Sequence, residues 1–250
     1  PPGIERVQEL GNNGINILQN EQSMSLKFTN LNKGDARAVF KTLNLDMRQY
    51  GQLRMFLHAE SVIGQRPVKD GELVAVIRMG QDFLDNYYEV RIPLKITAQD
   101  AITATEIWPS ENDLNLMLND LVQLKLRRNS SQFPSNKPYR EPFGAQTYSV
   151  LGNPNLAEVQ GMLIGIENTI DIPLSTEIWV NELRLSQIDE SGGWAALGRV
   201  DMQLADLGTL SVSANTYTQG FGTIEQKANE RARQDLLQFD AALSIDAGKL

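Results

Sequence analysis

The sequence predicts an all-β protein: an antiparallel, jelly-roll-like β-sandwich followed by amphipathic strands of the kind that build β-barrels. Short apolar runs with a period of two recur along the chain, and turn-forming residues separate them. A single segment has helical periodicity. From residue 191 onward, the alternating segments become longer and richer in small residues. These observations define the fold class and the point at which it changes.

The composition excludes several classes of function. A net charge of −8 argues against nucleic acid as a partner, because that affinity comes from clustered Lys and Arg. The absence of cysteine excludes disulfides, thiolate metal sites and cysteine nucleophiles. The single histidine, His58, lies on the strand side opposite Leu53, Met55 and Leu57, and we expect it to be structural. We therefore predict no catalytic residue, no cofactor and no enzymatic activity.

The sandwich is predicted over residues 21–190, after an irregular lead-in at residues 1–20. One short helix is predicted at 119–127, with Asn119 as its N-cap. Trp179 is in phase with Leu183 and Leu185, which predicts a place in the core. The predicted strands are 24–28, 38–46, 51–60, 72–79, 86–96, 106–108, 114–118, 145–151, 159–167 and 175–186.

Residues 191–250 are predicted to contribute strands to a transmembrane β-barrel. The segments 194–205, 208–217 and 236–248 each have one apolar and one polar face, as barrel strands do between lipid and a wet lumen. A tight turn at 206–208 and a long polar loop at 219–235 match the asymmetry of barrel connections. Periodicity alone leaves open an ordinary sheet that packs one face on a soluble core.

Three sets of side chains are candidates for binding. Trp194 starts the first barrel-type segment and could anchor it at the membrane interface, with core packing as the alternative. Asp82, Asp85 and Glu89 place carboxylates in and beside one loop, which suits Ca²⁺, although solvated loop carboxylates are commoner. Aromatic rings that could stack on sugars are found at Trp108, Trp179, Tyr87, Tyr88 and Tyr50.

Long runs of the chain resemble the SprA/Sov family, the outer-membrane translocon of the Bacteroidetes type IX secretion system. The most specific run is 189–196, Asp-Glu-Ser-Gly-Gly-Trp-Ala-Ala, which continues to Gln203-Leu204-Ala205-Asp206. The similarity covers roughly residues 20–250, which indicates an internal piece of a longer protein. Other runs that carry the resemblance are 28–31, 34–41, 46–50, 53–60, 76–80, 86–89, 108–109 and 178–185.

The resemblance implies a structural and transport role in the cell outer membrane. Family members form a large barrel through which folded cargo leaves the cell, in some lineages including gliding-motility adhesins. The implied partners are secreted cargo proteins and other secretion-system subunits. If the long loop 219–235 is the external one, the sandwich lies outside the cell. The alternative from the residues is a carbohydrate-binding module of a cell-surface protein.

Overall fold

The chain divides into two compact units, Pro1–Gln187 and Ile188–Leu250. The computed structural model describes residues 8–10, 16–18, 23–205, 208–223, 225–226 and 230–245. Its helices are α1 (Ala104–Ile107) and α2 (Leu118–Ser130), with a short 3-10 helix at Ser110–Asn112 between them. Its strands are β1 (Gln8–Leu10), β2 (Asn16–Leu18), β3 (Met24–Leu31), β4 (Ala36–Leu45), β5 (Tyr50–Ser61), β6 (Leu73–Gly80), β7 (Tyr87–Pro93), β8 (Leu114–Met117), β9 (Tyr139–Phe143), β10 (Gln146–Leu151), β11 (Val159–Asn168), β12 (Leu174–Ile188), β13 (Ala195–Gln203), β14 (Gly208–Tyr217) and β15 (Leu236–Ile245).

Four antiparallel pairs nest inside one another in the first unit. β3 pairs with β12 and β4 with β11, while β5 pairs with β8 and β6 with β7. Nested pairs that roll up into two sheets are the topology of a jelly roll. One sheet has the order β3-β12-β5-β8, and the other has the order β4-β11-β6-β7-β10-β9. The predicted all-β jelly-roll fold is confirmed, with the hairpin β9–β10 added beyond β7.

The inward faces of the two sheets share one hydrophobic core, because alternate residues of each strand point the same way. On β5, Leu53, Met55 and Leu57 are buried while Arg54 is exposed. Helix α2 packs against β5, β8 and β10 and adds apolar side chains to the same cluster. The other main contributions come from Leu73, Ala75, Ile77 and Met79 on β6, Tyr88, Val90 and Ile92 on β7, and Met162, Ile164 and Ile166 on β11.

Some local predictions are wrong. Residues 104–107 form α1 rather than a strand, because Thr103 and Glu106 build a reciprocal capping box at its start. Helix α2 begins one residue before Asn119, and its N-cap is Met117. The strand β9 was not predicted. Residues 8–18 of the predicted irregular lead-in include the antiparallel pair β1–β2, and the rest of the lead-in lies outside the described residues.

The predicted core position of Trp179 is also wrong. Ile178 and Val180 are the buried residues on this part of β12, so Trp179 points to the opposite side and is half-buried. Glu182 has a φ of 51°, in the left-handed region, and this interrupts the alternation of the strand. The phase of Leu183 and Leu185 therefore does not extend back to residue 179.

Asn168 joins the two connections at one end of the jelly roll. Its side-chain amide donates hydrogen bonds to the carbonyl oxygens of Leu31 and Ile172, both at 2.8 Å. Its side-chain oxygen accepts a hydrogen bond from the backbone N–H of Ile170 at 2.9 Å. The side chain has no solvent exposure, so its polar atoms depend on these partners.

Replacing Asn168 with Ala should lower the free energy of unfolding by about 3 kcal/mol, since three hydrogen bonds of a buried side chain are lost at about 1 kcal/mol each. Urea denaturation of the chain measures this loss. Asn44→Ala, at an exposed position on β4, is the matched control and should change stability by less than about 0.5 kcal/mol. Equal stability of the two variants would contradict the role of Asn168.

Candidate functional site

The second unit is a three-stranded antiparallel sheet whose register separates its side chains by polarity. Val200 on β13 lies opposite Val212 on β14, which lies opposite Ala241 on β15. The next row along the same face joins Met202, Leu210 and Leu243. A third row, on the other side of the centre, joins Gly198, Ala214 and Phe239. One face of this sheet is therefore apolar across all three strands.

This apolar face is exposed to solvent. The exposed fractions of the side chains are 56% for Val200, 67% for Phe239 and 58% for Leu243. Exposed apolar patches of this extent mark interaction surfaces or membrane contacts rather than ordinary protein surface. The three strands have 9, 10 and 10 residues, the length needed for a tilted strand to cross a bilayer.

The opposite face of the sheet is mainly polar, although Leu197 lies on it in phase with Arg199 and is 78% exposed. Arg199 and Asp201 form an ion pair at 2.8 Å, and the hydroxyl of Ser211 donates to Asp201 at 2.6 Å. Ser213 on β14 lies between Arg199 and Asp240 on the neighbouring strands. Charged and hydroxyl side chains at these positions suit contact with water. The predicted turn at 206–208 and residues 246–248 of the predicted last strand lie partly or wholly outside the described residues.

Aromatic side chains gather at one end of this sheet. Trp194 is 59% exposed, and its backbone exchanges hydrogen bonds with Thr218 just beyond the paired end of β14. The rings of Tyr217 and Phe221 stack with their centroids 6.3 Å apart. Trp194 was predicted as an interface anchor, whereas Tyr217 and Phe221 were not. Their position at the start of the long loop was the available signal. Tyr217 is in phase with Ser213, so it lies on the polar face of the sheet.

The base of the long loop is closely packed. The N–H of Gly220 donates to Ala232 O, and the N–H of Ala232 donates to Phe221 O, both at 2.8 Å. The segment that enters the sheet runs against this base, and a Cβ on Gly193 would lie 2.2 Å from the backbone nitrogen of Phe221. A Cβ on Gly192 would meet nothing within 4 Å. Glycine is thus required at 193 and dispensable at 192.

The loop with the predicted calcium ligands satisfies its carboxylates internally. Asp82 accepts hydrogen bonds from the backbone N–H groups of Leu84, Asp85 and Asn86, and from the Asn86 side chain. Burial raises the pKa of Asp82, but these hydrogen bonds outweigh it and hold the pKa at about 2. Asp85 is exposed beside it.

Glu89, the third predicted calcium ligand, lies on the outer face of the six-stranded sheet. It is 3% exposed and accepts hydrogen bonds from the Arg78 guanidinium, the shorter at 2.5 Å. No group of three His, Cys, Asp or Glu side chains in the described parts of the chain could hold a metal ion. The calcium site at Asp82, Asp85 and Glu89 stays a prediction, and an ion there would compete with these internal bonds.

His58 is buried on the outer side of the four-stranded sheet, beneath α1. Its Nδ1 lies 2.7 Å from Ile107 O and 3.1 Å from Thr97 Oγ1, while Nε2 lies 3.2 Å from a Glu60 oxygen. Both ring nitrogens thus have partners within the fold. His58 therefore connects β5 to the segment that covers it.

The aromatic residues considered for sugar stacking do not share one exposed face. Tyr87 is buried on the outer side of its sheet, whereas Tyr88 is buried in the core. Trp108 lies against His58 with ring centroids 5.7 Å apart. Tyr50 lines a groove of about 460 Å³ beside α2, and Trp179 lies on the four-stranded sheet.

Comparison with protein families identifies the class of protein. The SprA_N family model, described as a motility related/secretion protein, matches residues 1–250. The chain belongs to this family. The resemblance seen in the sequence is thereby confirmed, and the protein is related to secretion and motility. No curated protein matches the chain.

In the described part of the chain, no helix is both long enough and apolar enough to cross a bilayer.

Gly193→Ala should loosen the base of the long loop, because the new methyl group would overlap the backbone of Phe221. We expect trypsin to cleave after Arg231 about tenfold faster than in the unmodified protein, since local opening controls such cleavage. Gly192→Ala, with open space around its methyl group, should be cleaved at the unmodified rate. Equal cleavage rates for the two variants would contradict the close packing described for residue 193.

Proposed function

We propose that this chain is part of an outer-membrane protein-export translocon of the type IX secretion system, with a structural and transport role. In this proposal β13, β14 and β15 lie in the wall of a barrel. Their apolar face contacts lipid, and their polar face contacts a water-filled lumen. The jelly roll is an accessory domain, and no reaction is assigned to the chain. The observation that carries the proposal is the exposed apolar face of the second unit.

The free energy of apolar burial favours removing that face from water. Moving a Val, Leu, Ile, Met or Phe side chain out of water stabilises a protein by about 1.5–3 kcal/mol. The face carries seven such side chains that are 39–78% exposed, so water is an unfavourable environment for it. They are Val200, Met202, Leu204, Leu237, Phe239, Leu243 and Ile245. A lipid bilayer would provide the cover without further protein.

Three further features fit a barrel wall better than a sheet on a soluble core. Trp194 is exposed at one end of the strands, as aromatic residues are at the interfaces of membrane barrels. The connection between β14 and β15 is long and polar, whereas that between β13 and β14 is short. Among the described residues no strand pairs with the outer edges of β13 and β15, and further strands there would complete the wall.

Family membership supports the partners in this proposal. A secretion protein meets exported cargo and other subunits of its machinery, and the proposed lumen face is polar as a passage for folded proteins requires. Folded cargo buries its own apolar side chains, so the groups it presents are mainly polar. The carbohydrate-binding alternative gains no support, because its aromatic residues are dispersed.

Lysine substitutions test the orientation of the sheet. Val212→Lys places a charge at the centre of the apolar face and should lower the stability of the protein in the membrane by about 2–4 kcal/mol. Ser213→Lys places the same charge on the polar face, beside Asp240, and should be tolerated. Leu237→Lys, at the aromatic end of the apolar face, should cost about 0–1 kcal/mol.

The measurements are the amount of full-length protein in the outer-membrane fraction of its own host and the amount of exported protein in the medium. Val212→Lys should lower both, while Ser213→Lys and Leu237→Lys should leave both near the unmodified level. Equal effects of the charge at 212 and 213 would contradict the lipid-facing assignment. Normal export by cells that lack the protein would contradict the translocon role.

A further inference from the structure

The two sheets of the jelly roll end in four edge strands, and these edges differ. β4 and β9 are the edges of the six-stranded sheet, and β3 and β8 are the edges of the four-stranded sheet. An edge strand directs every second set of backbone N–H and C=O groups away from its sheet, which offers a template for another strand. Proteins usually shorten, bend or interrupt such edges.

Three of these edges have features that oppose pairing. β9 has five residues and contains Pro142, which has no N–H to donate. β8 has four residues. β3 has a register shift against β12 near Leu174, and its Asn30 has a φ of 51°. None of the three provides a long, regular ladder.

The fourth edge, β4, is long and accessible. It has ten residues, and seven consecutive ones from Ala36 to Thr42 are exposed. Its pairing with β11 is continuous from Ala36 to Thr42, so its backbone is regular over this length. Phe40 is 69% exposed on the outer face, and Val39 is 38% exposed on the inner face. This is an apolar strand edge that the described residues leave open.

The charge of this edge has the opposite sign to that of the chain. Arg37 and Lys41 lie on the same side of β4 as Val39, because residues two apart share a face. Arg37 donates to the carbonyl oxygen of Thr29 at 3.0 Å, and neither cation pairs with a carboxylate within the described residues. In a chain with a net charge of −8, β4 has two positive charges and no acidic residue.

The outer face of the edge has a different chemistry. The ring of Phe40 contacts the ring of Phe83 edge-to-face, with centroids 5.8 Å apart. Phe83 in turn covers Gly161 of β11, where a Cβ would lie 2.6 Å from the ring. A side chain opposite Phe40 on an added strand would extend this aromatic patch. Cross-strand pairs of that kind stabilise a sheet by about 0.2–1 kcal/mol.

We propose that β4 is a docking edge, to which an extended segment of a partner protein adds as a further antiparallel strand. The partner segment alternates acidic with apolar residues. Its acidic side chains lie on the inner face beside Arg37 and Lys41, and its apolar side chains lie on the outer face beside Phe40. Backbone hydrogen bonds supply affinity, and the alternating side chains supply specificity. The cations disfavour a second copy of β4, which would bring like charges together.

A peptide of alternating Glu and Val, about eight residues long to match a strand, is the first probe. It should bind the full chain, and a matched peptide of alternating Lys and Val should not. Fluorescence anisotropy of labelled peptides measures both. The double variant Arg37→Glu, Lys41→Glu reverses the charge of the edge. It should weaken the affinity for the acidic peptide by about tenfold and allow the basic peptide to bind.

Arg140→Glu, on the opposite edge of the same sheet, is the matched control and should leave both affinities unchanged. Because the chain has no cysteine, a single Thr42→Cys variant should form a disulfide with a peptide that carries a terminal Cys. Arg140→Cys should not form one.

Four results would overturn the proposal. They are the absence of acidic-peptide binding, binding that does not respond to charge reversal, an equal loss of binding with Arg140→Glu, and equal cross-linking at residues 42 and 140. Dimers of the chain that persist in excess acidic peptide would point instead to a second copy of β4. Unchanged circular dichroism of the variants shows that any loss of binding is local.

Discussion

The apolar side chains of a β-strand lie on one side of its sheet, and that side requires a cover. This constraint organises both units of the protein. In the jelly roll, two sheets cover each other, and β5 shows the result in the alternation of buried Leu53 and Met55 with exposed Arg54. The second unit has the same alternation in a single sheet, and its apolar face is exposed. The same pattern thus encodes a closed core in one unit and an external surface in the other.

The outer faces of the jelly roll follow from the same constraint. Where a connection folds over an outer face, the polar groups beneath it lose water and need internal partners. Glu89 accordingly pairs with Arg78, and His58 contacts Ile107 O and Thr97. These buried polar residues have an evident role in fastening connections to the sheets. These contacts assign a structural role to His58, the only histidine in the sequence.

Much of the fold could be predicted from the sequence, because a period of two is visible wherever one strand face is buried. It revealed β3 and β7 in the jelly roll and the strands of the second unit. The errors arose where local bonds override the pattern. The Thr103–Glu106 capping box turned a predicted strand into α1, and the left-handed Glu182 shifted the phase that had placed Trp179 in the core. β9 was missed because Pro142 and its short length conceal the alternation. The grouping of Tyr217 and Phe221 with Trp194 depends on strand register, which alternation alone does not specify.

Spin-label accessibility in membranes tests the central claim most directly. The chain has no cysteine, so Val212→Cys and Ser213→Cys each add a single attachment site on neighbouring residues of β14, with any cysteine elsewhere in the protein replaced first. In the full-length protein reconstituted in lipid, the label at 212 should be accessible to oxygen, which concentrates in the bilayer, and shielded from a water-soluble nickel relaxant. The label at 213 should show the reverse. Equal access of the nickel relaxant to both labels would contradict a lipid-facing sheet, as would a label at 212 that neither reagent reaches.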